Sequence, residues 1–170
     1  MSHPAPEKPT DAPLATLGLD GEAATAALAE RVAGAVRGGE ILLLSGELGA
    51  GKTAFARALI QSLQSRDGTP EDVPSPTFTL VQTYEAGGLE IWHADLYRLS
   101  DAGELAELGL DAAGPTAVVL VEWPERAAGL WPRDAIRLRF DHAGEDAREV
   151  SLRGVPTQAA RRIAGAFGAG

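Results

Sequence analysis

The chain contains no cysteine. Disulfides, thiolate zinc sites and cysteine nucleophiles are therefore excluded, and a reducing compartment is permitted though not required. It also lacks asparagine, so the N-K-x-D pattern that reads guanine in GTP-driven switches cannot be present. No apolar run approaches the roughly 18 residues that a membrane span needs. The opening stretch MSHPAPEKPTDAP has no apolar h-region and does not read as a secretory signal. The expectation is a cytoplasmic protein with no membrane partner. Cations are scarce beside acids: 15 Lys and Arg face 24 Asp and Glu, for a net charge of −9. Such a surface repels nucleic acid unless a local basic patch exists, so any dealing with RNA is expected to be indirect.

What is present suits an ordinary globular chain. Its 170 residues are 45% hydrophobic and 23% charged, which fits one domain with a sizeable core. Residues 1–13 are rich in proline and polar residues and are expected to be a disordered tail. Residues 14–168 are expected to form a single domain. No internal repeat is visible.

Leu14–Leu17 reads as a short strand. Asp20 is placed to cap a helix running to Arg37, with Leu28, Val32, Ala35 and Val36 on one face and Gly38-Gly39 ending it. Glu40–Ser45 is a short apolar run suited to a doubly buried strand. The segment GELGAGKT, Gly46–Thr53, follows it. Phe55, Ala56, Leu59, Ile60 and Leu63 then recur at helical spacing. After a loop at Asp67–Pro76, Phe78–Tyr84 and Leu89–Asp95 read as a hairpin turning at Ala86-Gly87-Gly88. Asp101 and Glu104 resemble a capping pair for a short helix through Leu108. Ala117–Glu122 is a second buried strand. Ala135–Asp141 and Arg148–Arg153 form another hairpin, and Thr157 caps a last helix carrying Ala160, Ile163, Ala164 and Phe167. Strands linked through helices imply parallel pairing and the hairpins imply antiparallel pairing. The fold class is therefore α/β, a three-layer P-loop NTPase fold with a mixed parallel and antiparallel sheet.

GELGAGKT satisfies G-x-x-x-x-G-K-[ST], and each residue type has a reason. Gly46, Gly49 and Gly51 let the backbone turn tightly and aim N–H groups at phosphate oxygens. The helix beginning near Lys52 adds its positive end. Lys52 brings a mobile cation to the β- and γ-phosphates, and Thr53 offers a hydroxyl to Mg²⁺. The ligand read from this loop is ATP with Mg²⁺. Such a site needs acidic metal partners. Glu122 ends a hydrophobic strand in the manner of a Walker B acid, and Asp95 ends Ile91-Trp92-His93-Ala94. On the residues alone each could also be a solvated loop acid. One would hold the metal through water and the other would orient the attacking water, in an order the sequence leaves open.

Ser75-Pro76-Thr77-Phe78 carries two hydroxyls beside prolines and could sense a γ-phosphate as a switch loop does; a plain proline turn is the alternative. Trp123 could stack on a base or partner, with packing near the site the favoured reading. His93 reads as a satisfied structural histidine. Arg148 follows a turn and could reach nucleotide, with a surface arginine the default reading.

Taken together and in order, GELGAGKT, PSPTFTLV (74–81), HADLYRL (93–99) and VEWPER (121–126) resemble the TsaE family, also called YjeE. The likeness runs from about Leu14 to Leu152. It implies a weak ATPase that works in threonylcarbamoyladenosine modification of tRNA adenosine 37. The partners it implies are the threonylcarbamoyl-transferase TsaD and its dimerising partner TsaB, whose turnover or regulation it would support. Carried over by position, Gly46, Leu48, Gly49, Ala50, Gly51, Lys52 and Thr53 match the nucleotide site. Thr53 and Glu122 match metal-associated positions, and Asp95 matches an acid important for hydrolysis. Thr77 falls in the switch segment. Glu22 and Thr25 lie in the stretch that packs against nucleotide, and Arg148 matches a basic position of the late hairpin. Leu28-Ala29 stands where relatives often have Leu-Gly, a departure that bears on helix packing.

The glycine loop alone also admits two other functions. A small-molecule kinase would need an acceptor site and usually a basic lid, and no arginine-rich lid segment is visible. A nucleotide switch with no catalytic task finds only the short D-x-x-G match at Asp111–Gly114.

Overall fold

The apolar run after Gly39 forms β2 (Ile41–Gly46), and its neighbours decide the rest of the architecture. The computed structural model describes residues 12–76, 79–101 and 103–168. Before β2 come β1 (Ala15–Asp20) and α1 (Gly21–Ala35). After it come α2 (Lys52–Gln64), β3 (Val81–Ala86), β4 (Leu89–Asp95), α3 (Gly103–Glu107), β5 (Ala117–Glu122), β6 (Ile136–His142), β7 (Ala147–Arg153) and α4 (Gln158–Gly168). The seven strands form one sheet in the order β1-β7-β6-β2-β5-β4-β3. β2 pairs in parallel with β5 and β6, and β4 pairs in parallel with β5. The β1–β7, β6–β7 and β3–β4 pairs are antiparallel, so the sheet is mixed.

Parallel strands need cover on both faces, and every residue of β5 is buried accordingly. One face carries the larger core, where Phe55, Leu59 and Ile60 of α2 and Leu28 and Val32 of α1 meet Leu42, Leu44, Leu120 and Leu138. The other face carries a thinner layer. There Leu96 and Leu99 pack on Leu43, Ala94, Val119 and Val121, with Leu105 of α3 at its edge.

The helix ends show what local signals do and do not control. Thr157 caps α4 as the pattern predicts, its hydroxyl accepting from the Ala160 N–H at 3.1 Å. Asp20 occupies the N-cap position of α1 without a side-chain cap bond; the Gly21 N–H instead reaches Asp146 O at 3.0 Å. α1 stops at Ala35, two residues short of Arg37, because Val36 is already extended. The Arg162 guanidinium of α4 takes over there, donating to Ala35 O at 2.7 Å and pairing with Glu40. β3 starts at Val81 rather than Phe78. Leu80 has φ +65°, its N–H bonds Pro76 O and its carbonyl accepts from Asp95, so the chain turns before it can pair as a strand. Among the described residues no helix is long and apolar enough to cross a membrane.

Candidate functional site

The glycine loop leaves the tip of β2, and the parallel register brings its chemical partners to that tip. Leu44 lies opposite Glu122, and Asp95 lies opposite Glu122 on the far side of β5. Alternation along the strands turns His93, Asp95 and Glu122 to the face that carries α2, whose first turn holds Thr53.

Gly46 and Gly51 are needed for separate reasons. Gly46 has φ +140°, and a Cβ there would lie 2.3 Å from Phe140 O on the neighbouring strand. Gly51 is the N-cap of α2 in the left-handed region, φ +106°. Lys52 follows it and is buried. Its ammonium donates to Gly46 O and stands 3.5 Å from the centroid of the Trp123 ring, a contact worth about 2 kcal/mol when desolvated. Burial pulls the Lys52 pKa below its ordinary value, while Glu125, Glu122 and Asp95 pull the other way.

Beneath the loop runs a chain of three side chains. The Thr53 hydroxyl donates to Glu122 Oε1 at 2.5 Å, and Glu122 Oε2 accepts from His93 Nε2 at 2.7 Å. An ionised carboxylate only accepts, so the pair is satisfied by the His93 tautomer that carries its proton on Nε2. Glu122 and His93 are 1% and 0% exposed. His93 is therefore half of what the sequence suggests: one ring nitrogen is satisfied by a site acid, and Nδ1 has no hydrogen-bond partner among the described residues. Asp95 is held more loosely, its Oδ1 accepting from the Tyr97 N–H at 3.0 Å. Burial pushes the Asp95 carboxyl above the usual carboxylate value and Glu122 adds to this; the Tyr97 N–H, His93 and Lys52 oppose it.

These groups open into a cavity of about 410 Å³ lined by Glu22, Leu48, Gly49, Gly51, Lys52, Thr53, Ala54, Ser75, Asp95, Tyr97, Arg98, Glu122 and Trp123. A second hollow of about 390 Å³ shares Glu22, Gly49, Gly51 and Ala54 and adds Thr25, Asp146 and Arg148. Glu22, Thr25 and Arg148 are thus brought to the loop. Arg148 Nη2 donates to Gly49 O at 3.2 Å, which makes it more than a solvated surface arginine. Leu48 is 70% exposed at the loop tip, whereas Ala50 is buried in the core and lines neither hollow. Thr77 lies outside the described residues, as does Phe78; Ser75 is the described part of that segment at the cavity wall.

Tyr97 and Arg98 stand inside the HADLYRL motif just past Asp95, but the sequence assigned them no role of their own. It favoured packing near the site for Trp123 over stacking on a base or partner. In the structure the Trp123 backbone is left-handed, φ +58°, a strained state for a bulky residue. The indole contacts both the Lys52 ammonium and the Tyr97 ring, with the two ring centroids 4.9 Å apart. A loop of N–H donors, a buried cation and a helix N-terminus fit a polyphosphate. Among the described residues no three His, Cys, Asp or Glu side chains group closely enough to hold a metal by themselves. Mg²⁺ takes one or two carboxylates and completes its shell with water and phosphate; Thr53, Glu122 and Asp95 are the protein groups that could hold it.

A glycine loop between a central parallel strand and a helix, with strand-tip acids beside it, defines a P-loop NTPase-like fold. Known proteins narrow this further. The family model for the threonylcarbamoyl adenosine biosynthesis protein TsaE matches residues 19–150. The tRNA threonylcarbamoyladenosine biosynthesis protein TsaE of Rickettsia conorii is 42% identical over 134 residues, 79% of this chain and 75% of that protein. The protein of the same description from Bacillus subtilis is 36% identical over 132 residues, covering 77% and 80%. The crystal structure of Bacillus subtilis YdiB superposes with a TM-score of 0.70 at 28% identity, covering 89% of this chain and 92% of that one. The chain belongs to the TsaE family of tRNA threonylcarbamoyladenosine biosynthesis.

Proposed function

We propose that the protein binds ATP with Mg²⁺, hydrolyses it slowly, and spends that cycle on a threonylcarbamoyl-transferase assembly resembling TsaD with TsaB. The hydrogen-bonded row Thr53–Glu122–His93 beneath the glycine loop carries this reading. The loop N–H groups and Lys52 take the phosphates. Thr53 and Glu122, already in contact, are the metal holders, and Asp95, which makes no such contact with Thr53, orients the attacking water. Bound Mg²⁺ would neutralise the charge that develops on the phosphate oxygens. Lys52 stabilises the same charge from the other side. Trp123 and Tyr97 wall off bulk water, which strengthens each of these interactions. Glu22, Thr25 and Arg148 line the adjoining hollow, where the rest of the nucleotide has room. The protein works in the cytoplasm and meets tRNA only through its partners, in keeping with the net charge of −9.

The segment beginning at Ser75 is the reader of nucleotide state: γ-phosphate and metal order it and hydrolysis releases it. ATP then strengthens docking to the TsaD–TsaB-like complex, and Thr77→Ala weakens the nucleotide dependence of docking more than ATP binding. Two measurements test the proposal. Lys52→Ala should lose tight ATP binding by titration calorimetry while keeping its circular dichroism; unchanged affinity would reject the nucleotide site. Titration of the partner complex with ATP, with ADP and without nucleotide should give unequal affinities; three equal ones would reject the switch.

A further inference from the structure

The segment that arrives at Ser75 is fastened, step by step, to one face of α2. Thr53, Arg57, Gln61 and Gln64 recur at helical spacing, so they share a stripe along that helix. The end of the stripe far from the site is buried: Gln64 is 7% exposed, and its Oε1 accepts from the Glu71 N–H at 3.0 Å. Gln61 Nε2 donates to Glu71 O at 3.1 Å. One turn nearer the site, Arg57 Nε donates to Val73 O at 2.8 Å. One turn nearer again stands Thr53, and Ser75 lines the same cavity.

The spacing keeps step in both directions. Two residues of chain advance at most about 7 Å, and four residues of helix rise about 6 Å. The segment therefore runs back along α2, with Glu71 at Gln61 and Gln64, Val73 at Arg57, and Ser75 at the cavity that Thr53 lines. Apolar anchors flank Ser75, since Val73 is 1% exposed and Pro76 is buried. Apolar burial is non-directional and sets depth alone. A hydrogen bond also sets direction, and the Arg57 bond fixes which way the Val73 carbonyl points, two residues before Ser75. Arg57 as a residue is exposed, so solvent screens its charge. The contact that bears on the site is its Nε–H.

We infer that Arg57 is a positioning residue of the nucleotide site: by holding the Val73 carbonyl it sets where the Ser75 hydroxyl meets the phosphates, on the reading above that the segment beginning at Ser75 answers to the γ-phosphate. Arg57 acts through Ser75 and touches neither nucleotide nor metal. One helix thus carries the phosphate cation Lys52, the hydroxyl of Thr53 and, through Arg57, the register of the reader.

The test titrates the full chain with ADP and with the β,γ-imido analogue of ATP, both with Mg²⁺, and measures phosphate release from ATP beside them. Arg57→Met puts a methyl where Nε stands and keeps the stem. It should lower the preference for the analogue over ADP by about tenfold, and the rate at saturating ATP by about as much, with ADP affinity within about twofold of the parent. Arg57→Gln puts an amide N–H at the place of Nε without the charge, and should bring both quantities back to within about threefold of the parent. Ser75→Ala should lose about as much as Arg57→Met, and the double variant no more than the worse single one, because the two act in series. Ile163→Val trims the buried core on α4. It should lower the melting temperature yet leave preference and rate within about twofold, being distant from the site. If Arg57→Met disturbs the circular dichroism, Arg57→Leu takes its place with the same expectation. Parental preference and rate in Arg57→Met, no recovery in Arg57→Gln, losses that multiply in the double variant, or an equal loss in Ile163→Val would each overturn the inference and leave the nucleotide reading standing. A parent that binds neither nucleotide, or binds both equally, would remove the γ-phosphate reading and the inference with it.

Discussion

Two acids stand directly opposite each other at the tips of β4 and β5, yet the fold treats them differently. Glu122 is clamped at both oxygens, by Thr53 and by His93. Asp95 has one backbone N–H and otherwise a desolvated surrounding that resists its charge. A group clamped twice in one orientation suits holding something fixed. A group held once, and raised toward protonation, suits handling a water. On the proposed reading, neighbouring carboxylates on equivalent strand ends would take separate tasks from their surroundings rather than from residue type.

The sharpest way to break this contrast is to remove the clamped acid. Glu122→Ala should reduce steady-state phosphate release by about 10²-fold or more and raise the Mg²⁺ concentration needed for half-maximal rate. A parental rate with a parental metal requirement would place Glu122 outside the chemistry. Asp95→Asn should cost a comparable or somewhat smaller factor, about 10²-fold, while ATP affinity and the Mg²⁺ requirement stay near parental. If the metal requirement moves with Asp95 instead of Glu122, the two roles are exchanged. His93→Gln sits one step back. It should lower the rate by about tenfold and shift the Mg²⁺ requirement in the same direction as Glu122→Ala. A variant that only melts earlier, with an unchanged metal requirement, would leave His93 a packing residue.

The smallest effect concerns stability. Because burial raises the Asp95 pKa above its ordinary 3.8, the folded chain binds more protons than the unfolded one between those two values. Stability therefore falls as pH rises through that window, and the ionised carboxylate remains a burden above it. Asp95→Asn keeps an oxygen for the Tyr97 N–H and removes the charge. It should melt above the parent near neutral pH, with the gain shrinking as pH falls toward 3.8. Thermal melts across pH check this; a variant less stable at every pH would contradict it.

The same contrast explains what could be read in advance. The loop, α2 and β5 were legible because their signals are contiguous: a glycine pattern, a helical stripe, an unbroken apolar run. The antiparallel hairpins were legible from their turns. The clamp on Glu122 was not, because His93 lies 29 residues away and meets it only through parallel pairing. Nor was the placement of Trp123, which follows from a left-handed backbone that no local pattern announces. Strand and helix limits slipped by a few residues where tertiary partners intervened, as Arg162 does at the end of α1 and Leu80 before β3. Ala50 adds that a position inside the glycine motif can bury its side chain in the core while its backbone stays in the loop.

Phe140 gives the close approach at Gly46 a wider meaning. Its carbonyl forbids a side chain at the start of the glycine loop, and its ring packs against Phe55 just beyond the loop's end, with centroids 5.4 Å apart. One residue of β6 thus braces the loop at its beginning and its end, like a strut fixed at two points. The eight-residue motif is consequently not a portable module. Grafted onto a different sheet, it would need this neighbouring strand at the same spacing, and substitutions at Phe140 would be felt as a change in loop shape before they were felt as a loss of core.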